Sequence, residues 1–149
     1  MKKLIMFSML LLLVNTTIIA QEAENEKEQI KKVIQTAYID GLHNKGNVDD
    51  IENGFHPGFN LLGVNDNMLT KYPIYSWVES FNKRKAADPA PLTEEQKMTC
   101  EYLLIDITGN TAMAKIQLYK NKVLIFTDYL QLYKFNEGWR IVSKTYYRH

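Results

Sequence analysis

At 149 residues, with 18 basic and 17 acidic side chains and a formal charge of +1, the chain lacks the basic excess that a nucleic-acid binder needs to neutralise phosphates. Its one cysteine, Cys100, excludes an internal disulfide, so folding must rest on an apolar core. Cys100 reads as a buried structural thiol; a catalytic role would call for a histidine nearby in the sequence, and there is none.

The first twenty residues have the layout of an export signal. Lys2 and Lys3 precede the apolar run "LIMFSMLLLLV", and "NTTIIA" leads through polar residues to small Ala20. The competing reading is a membrane anchor. The run from Leu4 to Val14 is far shorter than the roughly 20 residues a spanning helix needs, and Asn15 interrupts it. No cysteine follows, so a lipid anchor is not expected. The expectation is cleavage after Ala20, a periplasmic or secreted protein, and no membrane association once the leader is gone. The mature portion, residues 21–149, is near neutral and the size of one domain.

From Glu26, apolar residues recur at helical spacing: Ile30, Val33, Ile34, Ala37 and Tyr38. Gly41 and then "NKG" should stop that helix. Asn47, with Asp49 and Glu52 behind it, suggests a capped short helix carrying Val48, Ile51 and Phe55. Pro57 should end it, pushing His56 into extended backbone at a helix-to-strand corner. "FNLLGV" reads as a short strand and "NDN" as a turn. A third helix follows Pro73, with Ile74, Trp77, Val78 and Phe81 on one face, and its "NKRK" end reads as solvated. "AADPAPLTEEQ" is a loop. The period then becomes two. "MTCEYLLIDI", "TAMAKIQLY", "VLIFTDYLQLYKF" and "WRIVSKTYYRH" are strands joined by short turns, an antiparallel meander. Helices first and strands after argue for an α+β fold with helices on one sheet face.

This element order resembles the nuclear transport factor two-like superfamily, in which a curved antiparallel sheet wraps around N-terminal helices as a cone-shaped, cystatin-like roll with a pocket between them. "AYIDGLHNKGN", "FHPGFNLLGV" and "TDYLQLYKFNEGWRIVSK" are similar to the branch called putative lumazine-binding proteins. The resemblance implies a small-molecule ligand, partly apolar or aromatic, and pairing of sheet faces into a homodimer. Ketosteroid isomerase shares the fold type. Carried over, its tyrosine falls on Tyr38, its base near Gly63 and its late-strand acid near Gln131, three residues from Asp128. Glycine cannot shuttle a proton, so that reaction is not expected.

No zinc motif, nucleophile elbow, phosphate loop or dinucleotide fingerprint occurs, and His43, His56 and His149 lack metal-ligand spacing. Neither a metal nor a cofactor is expected, and no catalytic residue is assigned. The pocket candidates are Tyr38, His56, Trp77, Lys115, Asp128, Lys144 and Tyr146. With "NEG" as a three-residue loop, Phe135 pairs with Trp139 and Asp128 lies across from Tyr146, with Lys144 diagonal to it. Lys144 and Asp128 then form an ordinary ion pair, or orient a polar ligand beside His56. His56 itself either caps the corner or touches ligand. Tyr38 and Trp77 equally suit a core. Strand "TAMAKIQLY" offers Ala112, Ala114, Ile116 and Leu118 on one face and Met113, Lys115, Gln117 and Tyr119 on the other. The length of the "KNK" turn decides which face joins Asp128. An isomerase or dehydratase, with His56 as base and Tyr38 or Lys144 as electrophilic partner, is the alternative to a binding domain. It requires those groups to converge on one reacting atom.

Overall fold

The structure, a computed structural model, describes residues 21–149; the leader expected over residues 1–20 lies outside them. Residues 21–33 are α-helical and run unbroken into a π-helical stretch, Ile34–His43, the two together forming α1. Gly41 therefore does not stop the helix. The end falls at "NKG", where Lys45 takes φ 58. Next come α2 (Val48–Gly54), β1 (Phe55–Asn65), β2 (Met68–Pro73) and α3 (Ile74–Ala87). The last four elements are β3 (Met98–Thr108), β4 (Thr111–Lys120), β5 (Val123–Phe135) and β6 (Gly138–Arg148).

The sheet runs β2-β1-β6-β5-β4-β3. The four C-terminal strands are sequential antiparallel neighbours, as their pattern predicts. β1 joins the meander alongside β6 in parallel, and β2 hairpins back on β1. The result is a curved, unclosed mixed sheet against three helices. Its curvature has a visible cause. Each ladder from β1–β6 to β3–β4 carries one register shift, near Phe55/Asn60, Gln131/Leu132, Leu118/Tyr119 and Tyr102/Leu104. An extra residue on one strand bends it and increases its twist.

Those shifts also settle which face looks inward. The "KNK" turn is a two-residue hairpin: Lys120 pairs with Val123, and Asn121 and Lys122 take φ 48 and 63, the positive angles of a type I′ turn. The shift at Leu118/Tyr119 then sets Ile116 opposite Asp128. Ala112, Ala114, Ile116 and Leu118 are buried, with Leu130, Leu132, Trp139 and Ile141, against Ile30, Ile34, Ala37 and Tyr38 of α1.

Several local expectations change. α2 ends at Gly54, with Phe55 already extended, so β1 starts before the proline and is longer than "FNLLGV". Gly54 of α2 packs tightly on α1; a methyl there would overlap the Ala37 Cβ. Asn47 makes no side-chain capping bond. β2 escapes the sequence reading because its residues are almost all exposed and show no inward alternation. Phe135 pairs with Gly138, and Lys134 with Trp139, in place of Phe135 with Trp139. The shift at Gln131/Leu132 then returns the register, so Asp128 does oppose Tyr146.

Candidate functional site

The site begins with the winding of α1. A π-helix bonds each carbonyl to the amide five residues on, and Asn44 N–H donates to the Ile39 carbonyl at 3.0 Å in that pattern. Residues five apart then lie over one another, which sets the rings of Tyr38 and His43 edge to face with centroids 4.7 Å apart. Trp77 of α3 packs against both, 6.0 Å from Tyr38 and 6.5 Å from His43. Phe55 and Phe59 of β1 stand behind Trp77.

Beneath this wall lies a buried polar cluster. The Tyr38 hydroxyl donates to Asp128 Oδ2 at 2.6 Å and accepts from Lys144 Nζ at 2.5 Å. Lys144 Nζ also donates to the same Asp128 oxygen at 2.9 Å. Tyr38 and Asp128 are fully buried and Lys144 is 4% exposed. Rings of Tyr38, Tyr146, Trp77 and Phe126 surround the ammonium, with centroids 4.9 to 5.8 Å away, where their electron-rich faces offset part of its lost hydration. Burial pulls the Lys144 pKa below the ordinary lysine value, and Asp128 opposes that pull. Burial, then the charge of Asp128, drives the Tyr38 pKa well above the ordinary phenol value, so the phenol stays a proton donor. Two buried atoms have no hydrogen-bond partner among the described residues: Asp128 Oδ1 and His43 Nε2.

His43 connects the cluster to a cleft. Burial first, then the charges of Lys144 and Arg84, push its pKa down to about 3, so the ring is neutral at physiological pH. The cleft, about 510 Å3, opens where α1 and α3 end, β3 begins and β4 finishes. That volume suits a small organic molecule. Leu42, Phe81, Leu92 and Met98 supply apolar lining; Lys45, Arg84, Lys85 and Lys120 supply positive charge. Asn44 fixes its base by exchanging two hydrogen bonds with the Met98 backbone, at 2.7 and 2.8 Å. Among the described residues no group of three or more His, Cys, Asp or Glu is placed to hold a metal ion.

Of the residues singled out in the sequence, Tyr38, Asp128 and Lys144 meet directly, and Trp77 and Tyr146 border them. Asp128, not Gln131, is the late-strand acid on Tyr38. Gly63 lies by Tyr146, where a methyl would sit 3.8 Å from the phenol oxygen. Lys115 is on the opposite sheet face, its ammonium 5.5 Å from the Tyr129 ring centroid. His56 caps the corner: its Nδ1 accepts the Gly58 N–H at 3.0 Å and its ring stacks on Phe135 at 4.8 Å. The stretch of β5 from Phe135 to Asp128 spans roughly 20 Å, so His56 does not converge with Tyr38 and Lys144. The "NKRK" end is exposed, as expected, and its Arg84 and Lys85 also line the cleft. Sequence reasoning missed His43 because its spacing from Tyr38 fits no α-helical period, and missed the cleft because its lining comes from separate segments.

A family model described as "Putative lumazine-binding" matches residues 25–147. A nuclear transport factor two-like protein of unknown function from Shewanella baltica OS155 is 27% identical, with 84% of this chain and 94% of that one aligned and a TM-score of 0.62. Proteins described in the same way, from Methylobacillus flagellatus KT and Silicibacter pomeroyi DSS-3, share the fold. The first is 22% identical with a TM-score of 0.62, covering 84% of this chain and 93% of that one. The second is 17% identical with a TM-score of 0.67, covering 85% and 98%. No curated protein matches the chain.

The buried cluster and its histidine make two testable claims. Lys144→Met leaves the Asp128 carboxylate buried without its cation and should lower unfolding free energy by about 3–5 kcal/mol in urea titrations. Replacing the whole cluster (Tyr38→Phe, Asp128→Leu, Lys144→Met) should restore most of that loss. For His43 the folded pKa of about 3 lies below the unfolded 6.5, so between those values the unfolded chain holds more protons and stability falls as pH falls. From pH 7 to pH 5 the loss should be about 2 kcal/mol. His43→Asn should flatten that slope in the same titrations.

Proposed function

The chain belongs to the putative lumazine-binding family, and from that premise we propose that it is an exported, noncatalytic domain binding a small, partly apolar or aromatic molecule. The observation that carries this reading is the cleft of about 510 Å3, apolar on Leu42, Phe81, Leu92 and Met98 and backed by the neutral ring of His43. The neutral ring of His43 at the edge of an aromatic wall adds a flat, polarisable surface, which suits an aromatic or heterocyclic ligand. The Tyr38–Asp128–Lys144 cluster supports the wall from below. Its hydrogen bonds point mainly at one another, and with His56 at the far corner no acid and base among the described residues face a common reacting atom.

Export rests on the layout of residues 1–20. Pairing of two copies is supported by Tyr129, Tyr133 and Tyr147, which stand 39%, 46% and 65% exposed on β5 and β6. Protein recovered from a periplasmic extract should begin at Gln21 by mass spectrometry and scatter light as a dimer. A leader retained in the mature protein, or a monomer at every concentration, would refute the corresponding part of the proposal.

Ligand binding is tested by thermal shift against a metabolite library. At least one aromatic or heterocyclic compound should raise Tm by about 2 °C or more. Met98→Trp, which fills the cleft, should abolish that response while the unliganded protein still melts cooperatively.

A further inference from the structure

Cations elsewhere on the described surface are commonly matched to carboxylates: Lys27 with Glu24, Lys31 with Glu28, Lys83 with Glu79, Lys97 with Glu94 and Lys134 with Glu26. The cleft departs from that habit. Lys45, Arg84, Lys85 and Lys120 line it against one acid, Asp88, in a chain whose formal charge is only +1. Asp88 is already taken, because its carboxylate accepts from Lys45 Nζ at 2.6 Å. Lys85 donates to the Gly46 carbonyl at 2.6 Å, which orients its ammonium without neutralising it. Arg84 and Lys120 have neither an ion pair nor a side-chain hydrogen bond among the described residues.

The macrodipole of α3 accounts for part of this, since Arg84 and Lys85 occupy its last turn, where cations are favoured. It does not account for Lys120, which ends β4, while Lys45 is matched by Asp88. Unmatched positive charges from α3 and β4 meet over an apolar floor of Leu42, Phe81 and Met98. Low-dielectric walls focus such a field into the cleft. The imidazole at its base adds no negative charge.

We propose that the ligand of this cleft is a small organic anion. Its carboxylate, sulfonate or phosphate group is held by Arg84 and Lys120, and its apolar body lies on Leu42, Phe81 and Met98. The guanidinium of Arg84 can present two parallel N–H donors to such a group, while Lys120 supplies a point charge from the facing strand end. This inference rests on the binding function proposed above, and it adds a charge requirement that the binding function alone does not demand.

Two fluorescent probes of one skeleton separate the two claims: anilinonaphthalene sulfonate, which is an anion, and phenylnaphthylamine, which lacks the sulfonate. The anion should bind the purified protein at least about tenfold more tightly than the neutral probe, and more weakly in about 0.5 M salt. Arg84→Gln with Lys120→Gln should bring the two affinities to within about twofold. Lys71→Gln, on exposed β2 outside the cleft, should change neither. Equal binding of both probes, or a preference that survives the double substitution, overturns the anion requirement and leaves a neutral-ligand site standing. If neither probe binds and the metabolite library also fails, the binding function falls and the anion requirement falls with it.

Discussion

Moving a carboxylate and an ammonium out of water costs several kcal/mol for each ion, and only close mutual contact with further hydrogen bonds offsets that cost. Asp128 and Lys144 accept this penalty at the centre of the fold. The Tyr38 hydroxyl is the third member, and it comes from a different layer. The cluster therefore ties α1 to β5 and β6 at one height and one rotation. Apolar packing alone is tolerant of small slides between helix and sheet, because oily contacts carry little directional information. A buried phenol that must reach both an acid and a base tolerates far less. The depth at which α1 sits in the curved sheet, and so the position of His43 and the cleft beyond it, depends on this one set of contacts.

Sheet curvature is the second constraint, and it is distributed. Register shifts in four consecutive ladders each bend the sheet a little, and two of them also correct the facing of side chains. The two-residue turn at Asn121–Lys122 and the shift beside it put Asp128 opposite Ile116, hence inward. The shift at Gln131/Leu132 does the same for Asp128 against Tyr146. Bending and polarity are thus written by the same irregularities. A flat sheet with uniform registers could not deliver Asp128 and Lys144 to the inner face by this route.

Much of this is legible in the residues. The period-two runs, punctuated by Gly109-Asn110, "KNK" and "NEG", name the meander in its true order, and helical spacing finds the helices. The diagonal relation of Lys144 to Asp128 also comes from strand pairing, even though the assumed hairpin partner of Phe135 is off by one. Other features leave no local trace. β2 has no buried face to impose alternation, so "MLTKYP" carries no strand pattern. The cleft exists only when Leu42, Phe81, Met98 and Lys120 arrive from separate parts of the chain. Arg84 and Lys85 look like any charged helix end, since a basic run reveals its surroundings only after folding.

The π winding of Ile34–His43 makes residue count itself a variable. Such a coil holds more residues per turn than an α-helix. If the segment relaxed to α winding at its full length, His43 would swing round the axis and leave its place over Tyr38. Losing one position between Ile39 and Leu42 at the same time would cancel that swing, because in an α-helix residues four apart lie over one another. Tyr38 and everything before it would keep their seats on the sheet in either case. The back wall of the opening is thus set by winding and length together.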